Sequence, residues 1–306
     1  MRVTDAMLYE RAAQDCSSAR SRMDEATSEV SSGKKVSQPG DDPAASGLVV
    51  LEQMRKNQFD AIATAAGRAS DELSAADGAL NTVDNALSRA RELAVQLSSG
   101  TYSAADRAAG ASEVTGLIST IVSALNTQVG NRYVFGGTQD QAAPFDGIVK
   151  DASGNLDPSL TGAYHGDASV RQVEIAPGVL QDVSVRADVA LKGVGGGSDV
   201  LATLANLANA LSANDPTAVG ATLNGLTQGT TQLATARSEL GADTDTLGAA
   251  VNASQAASTD ATQRISGLAD ADPIQSASDL AAAQNALQAS LTAVSQSFKF
   301  SLLDYL

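Results

Sequence analysis

The sequence predicts a mainly α protein with a β-rich insertion: a long antiparallel helical bundle, its N- and C-terminal helices paired, carrying a small outer β domain. Three observations predict it. Apolar residues recur at alternating steps of four and three over most of the chain, the period of a helical seam. Between 131 and 197 that period gives way to alternation punctuated by glycine and proline. Aromatic residues are only 3% of the chain, with no Trp. None lies between Phe59 and Tyr102 or between Tyr164 and Phe298, so those stretches pack through Leu, Val, Ile and Ala, which suit closely spaced helices.

The first helix is expected from about Thr4 to Val30, with Ala12, Cys16, Ala19, Met23, Ala26 and Val30 as its seam. Thr4 is a candidate cap, and Asp5 favours the first turn through the helix dipole. Gly33, Pro39, Gly40 and Pro43 interrupt it. A helix from about Ala44 to Leu97 follows, with the seam Ala69, Leu73, Ala76, Leu80, Val83, Leu87, Ala90, Ala94, Leu97. At 1.5 Å per residue it would span about 80 Å. Ser103 and Asp106 form a capping-box pattern with Asp in place of Glu, and Val114, Leu117, Ile121, Leu125 and Val129 trace a third helix.

The pattern changes at Gly130. RYVFGG, VRQVEI and DVSVRADVAL alternate, with Val173 and Ile175, then Val183, Val185 and Val189, each on one face. Tyr133, Phe135, Phe145 and Tyr164 are the expected core of this insertion, and VGGGSD reads as its return linker. A short helix carries Leu201, Leu204, Ala208 and Leu211 and stops near Asn214-Asp215-Pro216. The next seam runs through Val219, Leu223, Leu226, Thr230, Leu233, Leu240, Leu247, Val251, Ala261, Ile265 and Leu268, with Arg237, Thr244, Ser254 and Ser258 at its polar positions. Polar seam residues lower stability but fix register. ADADP breaks that helix, and the last begins near Ser276 with the stripe Leu280, Leu287, Leu291, Val294, Phe298 and Leu302.

The domain reading is nested: 1–43 with 273–306 as terminal helices, 44–130 with 198–272 as the bundle, and 131–197 as the β-rich outer domain. The terminal stripes lack a globular core of their own, so they are read as an assembly interface of Ala12, Met23, Ala26, Val30, Leu287, Leu291, Val294, Phe298 and Leu302.

Charge and chemistry exclude other classes. The formal net charge is −15, from 35 acidic and 20 basic residues. That disfavours nucleic-acid phosphates and anionic lipid, so neither nucleic acid nor membrane is an expected partner. One cysteine, Cys16, makes no internal disulfide and no structural zinc site, and it reads as a small seam hydrophobe. The single His165 rules out a two-histidine zinc motif within one chain. Gly193–Gly197 lacks the Lys-Ser/Thr of a phosphate loop. Asp41 and Asp42 read as N-terminal helix charges or as a contact to a neighbouring subunit. Asn252-Ala253-Ser254 is a sequon in mid-helix. No catalytic residue, metal ligand or cofactor is expected. The N-terminal MRVTDAMLYERAAQD has no apolar signal region.

Four stretches resemble the axial proteins of the bacterial flagellum, the flagellin-like family. EVSSGKKVSQPGDDPAASGLVVLEQM is similar to the joint between the outer terminal helix and the bundle helix. GNRYVFGGTQDQAAPFDG resembles the entry to the outer domain of the hook-associated members. SELGADTDTL resembles a turn of sequence within the C-terminal bundle helix, and AQNALQASLTAVSQSFKFSLLDYL the closing helix. Together with the helical pattern the resemblance covers essentially the whole chain. It implies a secreted, extracellular structural component exported unfolded through the flagellar type III channel. It also implies a cytoplasmic export chaperone on the C-terminal helix, and terminal helices that order as an inner tube on assembly. The implied partners are copies of itself, hook-associated protein 1 and flagellin. Flagellin itself and a cytosolic coiled-coil scaffold stay open as alternatives.

Overall fold

The computed structural model describes the backbone of residues 2–303 and the side-chain surroundings of residue 7 and residues 9–296. In chain order the elements are α1 (Arg2–Ser32), α2 (Pro43–Leu97), α3 (Ala104–Leu125), β1 (Gln128–Val129) and β2 (Arg132–Tyr133). There follow β3 (Gln172–Ala176), β4 (Val179–Asp182), α4 (Ala187–Ala190), α5 (Val200–Ser212), α6 (Pro216–Ala269) and α7 (Pro273–Leu303). Thr4, the expected cap, lies inside α1, and its side chain is outside the described residues.

Three helices open on an Asp-Pro pair. The Asp42 carboxylate accepts from the backbone N–H groups of Ala44 (3.0 Å) and Ala45 (2.9 Å). Asp215 accepts from Thr217 and Ala218, both at 3.0 Å, and Asp272 from Ile274 (2.8 Å) and Gln275 (3.3 Å). The proline after each aspartate brings no N–H to satisfy and a φ already suited to the first turn. Pro43 and Pro216, which in sequence read as interruptions, are therefore first residues of α2 and α6. Helix α7 likewise starts at Pro273, ahead of Ser276. Ser103 and Asp106 form the expected capping box at α3, each side chain bonded to the other's backbone N–H.

The chain divides into two compact units, Met1–Gln58 with Ala256–Leu306, and Phe59–Gln255. In the second unit the α2 seam is the core: Ala69, Leu73, Ala76, Leu80, Val83, Leu87, Ala90, Ala94 and Leu97 are all at most 4% exposed. Helix α3 packs Val114, Ile118, Ile121 and Leu125 into it, and α5 adds Leu201, Leu204, Leu207 and Leu211. Within α6 the buried positions Val219, Leu226, Leu233, Leu240 and Leu247 are seven residues apart, a heptad seam. Helix α3 is long and apolar enough to cross a membrane. Its buried face lines this core, however, and Glu113 on its exposed side pairs with Arg89 at 2.7 Å.

The insertion holds little strand. β1 pairs antiparallel with β2, and β3 with β4, in a hairpin closed at Gly178 (φ +78) with a bulge between Glu174 and Ala176. Val129 sits in β1, not in α3, whose helix ends at the Asn126 cap. Val189 belongs to the single turn α4, so the alternation read through DVSVRADVAL stops before it. Phe135 and Phe145 are buried in the same cluster as the bundle leucines. Tyr164 stacks 5.0 Å from Phe145, and its hydroxyl donates to the Phe135 carbonyl at 3.0 Å. Burial pushes that phenol up to about 12.

One buried cation closes the end of the unit. Arg107, 3% exposed, donates to the carbonyls of Leu97 (3.0 Å) and Ser99 (2.7 Å) and to the Asn214 side chain (2.6 Å). It thus ties the α2–α3 turn to the α5–α6 turn, where Asn214 takes the left-handed conformation (φ 54). Arg107→Ala leaves the buried Leu97 carbonyl without a donor and releases the part-buried Ser99 carbonyl and Asn214 side chain. It is expected to lower stability by about 2–3 kcal/mol, measured as the shift in the urea unfolding midpoint of the second unit.

Candidate functional site

The terminal helices α1 and α7 pair antiparallel within the first unit. Successive contacts show the register: Cys16 with Ser290 (Sγ to Oγ 3.9 Å), Glu29 with Ser276 (3.1 Å), and Lys34 bridged to Asp270. The pairing starts from a backbone clasp. Gly33 ends α1 with φ +65, and its carbonyl accepts from Ala271 N–H at 2.9 Å. The N–H groups of Lys35 (2.8 Å) and Val36 (3.2 Å) both donate to the Ala269 carbonyl. Asp41 holds the following turn by accepting from Gln38 N–H (2.8 Å) and from Ser37 N–H (2.9 Å) and hydroxyl (3.1 Å). Those donors keep its carboxyl below the usual carboxylate range. Glu52 on α2 turns inward beside Arg55 at 2.8 Å and Arg264 at 4.0 Å.

Of the residues read from sequence as the interface, Ala26 is buried, and Ala12, Met23, Leu287 and Val294 are half-buried in the seam. Val30 and Leu291 point away from it, 43% and 53% exposed. Phe298 and Leu302 lie on the α7 backbone, but their side chains are outside the described residues. The two outward positions have one cause. At each, the step of three competes with the step of four, and the seam takes the polar neighbour, Glu29 for its bond to Ser276 and Ser290 for its approach to Cys16. Sequence reading ranked apolar side chains first and so missed Ser276, which is 2% exposed, and Ser290. The legible signal was the regular spacing itself, which continues through both serines.

The seam is narrow. On α1 only Ala19 and Ala26 are fully buried among the described residues, and a groove of about 360 Å³ beside the pair is lined by Ala26, Ala282, Ala283 and Ala286. Large apolar side chains in the same unit face outward: Leu48, Val50, Leu51 and Met54 on α2 and Ile274 on α7. Their signal was the apolar run LVVL, in which only Val49 turns partly inward. Among the described residues no group of three or more His, Cys, Asp and Glu is placed to hold a metal ion. His165 is exposed and paired with Asp146 at 2.7 Å.

Residues 3–140 match the N-terminal helical region of bacterial flagellin, and residues 223–306 match its C-terminal helical region. The chain belongs to the flagellin family. Among flagellin-family relatives, flagellar hook-associated protein 3 of Salmonella typhimurium is 31% identical over 174 residues, 56% of this chain and 51% of that one. The Escherichia coli protein of that name is 31% identical over 146 residues, 47% of this chain and 46% of that one. A flagellin of Clostridium tyrobutyricum is 39% identical over 105 residues, 33% and 27% of the two chains. The chain thus spans about half the length of the hook-associated relatives it matches, 51% and 46%. Its fold is shared with two solved structures. A flagellar hook-associated protein from Vibrio parahaemolyticus superposes with a TM-score of 0.65 at 22% identity, over 75% of this chain and all of that one. Hook-associated protein 3 from Legionella pneumophila does so at 0.59 and 16%, over 72% and 98%.

The register makes a direct prediction. Ser290→Cys places a second thiol opposite Cys16, and mild oxidation of the full chain is expected to give an intramolecular disulfide. Mass spectrometry of a tryptic digest reads it. A digest with only intermolecular or no cross-link contradicts the pairing.

Proposed function

We propose that the chain is a structural adaptor of the flagellum that polymerises at the hook–filament junction through its terminal helices, without enzymatic activity. The observation that carries this reading is the contrast within the first unit. A thin seam, buried at Ala19, Ala26 and Ser276 and only half-buried at Met23, Leu287 and Val294, holds α1 to α7, while Val30, Leu48, Leu51 and Leu291 face outward. Burying an alanine methyl contributes below about 1 kcal/mol, whereas fixing a residue's backbone costs about 1–2 kcal/mol. Such a pair is completed by burial against neighbours, so ordering and assembly are coupled.

The proposed layers are 1–43 with 273–306 innermost, 44–130 with 198–272 as the surrounding bundle, and 131–197 outermost. Copies of the chain, hook-associated protein 1 and flagellin are its proposed neighbours, after passage out of the cell with a cytoplasmic export chaperone. Flagellin itself is the second reading, supported by the Clostridium tyrobutyricum match. The hook-associated relatives align over longer stretches, 174 residues against 105, which favours the junction.

Leu291→Asp puts a charge on the outward face of α7 without touching the α1 seam. Incorporation into isolated flagella, read by immunoblot, is expected to fall at least tenfold while the thermal unfolding of residues 59–255 stays unchanged. Normal incorporation would remove this face from the assembly surface.

A further inference from the structure

A groove of about 480 Å³ in the second unit opens over the edge of the bundle core. It lies between the segment 184–197 and the α6 face from Thr227 to Asp243. That face is about 24 Å long at 1.5 Å per residue, so the cavity is a furrow. An extended chain rising about 3.3 Å per residue lays roughly seven residues along that face. Val185, Ala190 and Leu240, all at most 8% exposed, are its apolar floor.

Its polar rim carries three threonine hydroxyls, two glutamine amides, one arginine and two carboxylates. The hydroxyls of Thr227, Thr231 and Thr235 each donate back to the carbonyl four residues earlier (2.9, 3.1 and 3.1 Å), which leaves oxygen lone pairs toward the furrow. Of the donors nearby, the exposed Gln228 amide is open to the furrow, whereas those of Gln232 and Arg186 are largely engaged. The Gln232 amide donates to the Ser198 and Val189 carbonyls, and the Arg186 guanidinium is held by Asp188 through two bonds of 2.9 and 2.6 Å. At one end, Glu239 and Asp243 line the furrow, with Asp182 beside Asp243. Among the described residues no cation lies within ion-pair distance of these three, and Asp243 has only the Gln181 amide, at 3.0 Å. Burial and the carboxylates of Asp182 and Glu239 raise the Asp243 carboxyl above its ordinary value, as expected of negative charge gathered without a counter-charge.

We propose that this furrow docks an extended segment of a partner protein in which a lysine or arginine neighbours apolar residues. The apolar side chains lie on Val185 and Leu240, and the cation meets Glu239 and Asp243. A different, more basic protein is favoured over a second copy, because a copy brings the same net charge of −15. This docking does not depend on the junction reading.

The test pans a random heptapeptide display library against the full chain and against the Glu239→Gln/Asp243→Asn double variant. Asparagine keeps an acceptor for Gln181, and circular dichroism checks that the variant is folded. Enriched peptides are expected to carry lysine or arginine beside apolar residues and to bind the variant about tenfold more weakly. Thr231→Arg, which sets a cation in the furrow itself, is expected to abolish their binding. Absence of enrichment, a consensus without a basic residue, or equal binding to the variants overturns the proposal. So does light scattering that shows a dimer of the unmodified chain lost in the double variant, which would make a second copy the occupant.

Discussion

The thinness of the seam between α1 and α7 is the constraint from which the rest follows. Alanine and serine at Ala19, Ala26, Ser276 and Ser290 let two helix backbones approach closely, but they bury little apolar surface. The pair is instead registered by polar and backbone contacts. Glu29 meets Ser276, and the residues after α1 hydrogen-bond to those before α7. Contacts of this kind fix geometry better than they supply free energy. The second unit is the opposite case, with leucine, isoleucine and valine from four helices enclosed in one continuous cluster. One chain therefore holds a bundle with a continuous apolar core and a helix pair with a sparse one.

The same division appears within α6. Its seven-residue repeat is apolar from Val219 to Leu247 and continues at the same spacing through Ser254, buried and polar. Buried seam hydroxyls satisfy themselves on the helix backbone and add specificity of register more than stability. Ser254 is also the last residue of the sequon, and its burial at 4% exposure in mid-helix gives that triplet a packing role.

Much of the helical architecture was legible because a four-three period has one physical meaning, and every α2 seam residue from Ala69 to Leu97 is buried. The capping box at Ser103 was legible for the same reason, since it is local chemistry. The α2 start was read to within one residue, with Asp42 already taken as an N-terminal charge, whereas Pro216 was weighed as a stop and Asp215 was not weighed as a cap. In the terminal pair, hydrophobicity put Val30 and Leu291 in the seam, where the contacts to Ser276 and Cys16 select Glu29 and Ser290. The insertion was least legible. Its order comes from long-range polar contacts such as the Arg171–Glu72 ion pair and the Asn126 side chain on the Phe145 backbone, which leave no periodic trace. Arg107 was invisible for that reason too.

The proposed function confines this family member to the boundary between hook and filament. Immunogold electron microscopy of isolated flagella, with an antibody raised against residues 140–190, tests it most directly. Gold in one narrow band at the hook–filament boundary is the expected result. Gold along the whole filament would contradict it and make the chain a filament subunit.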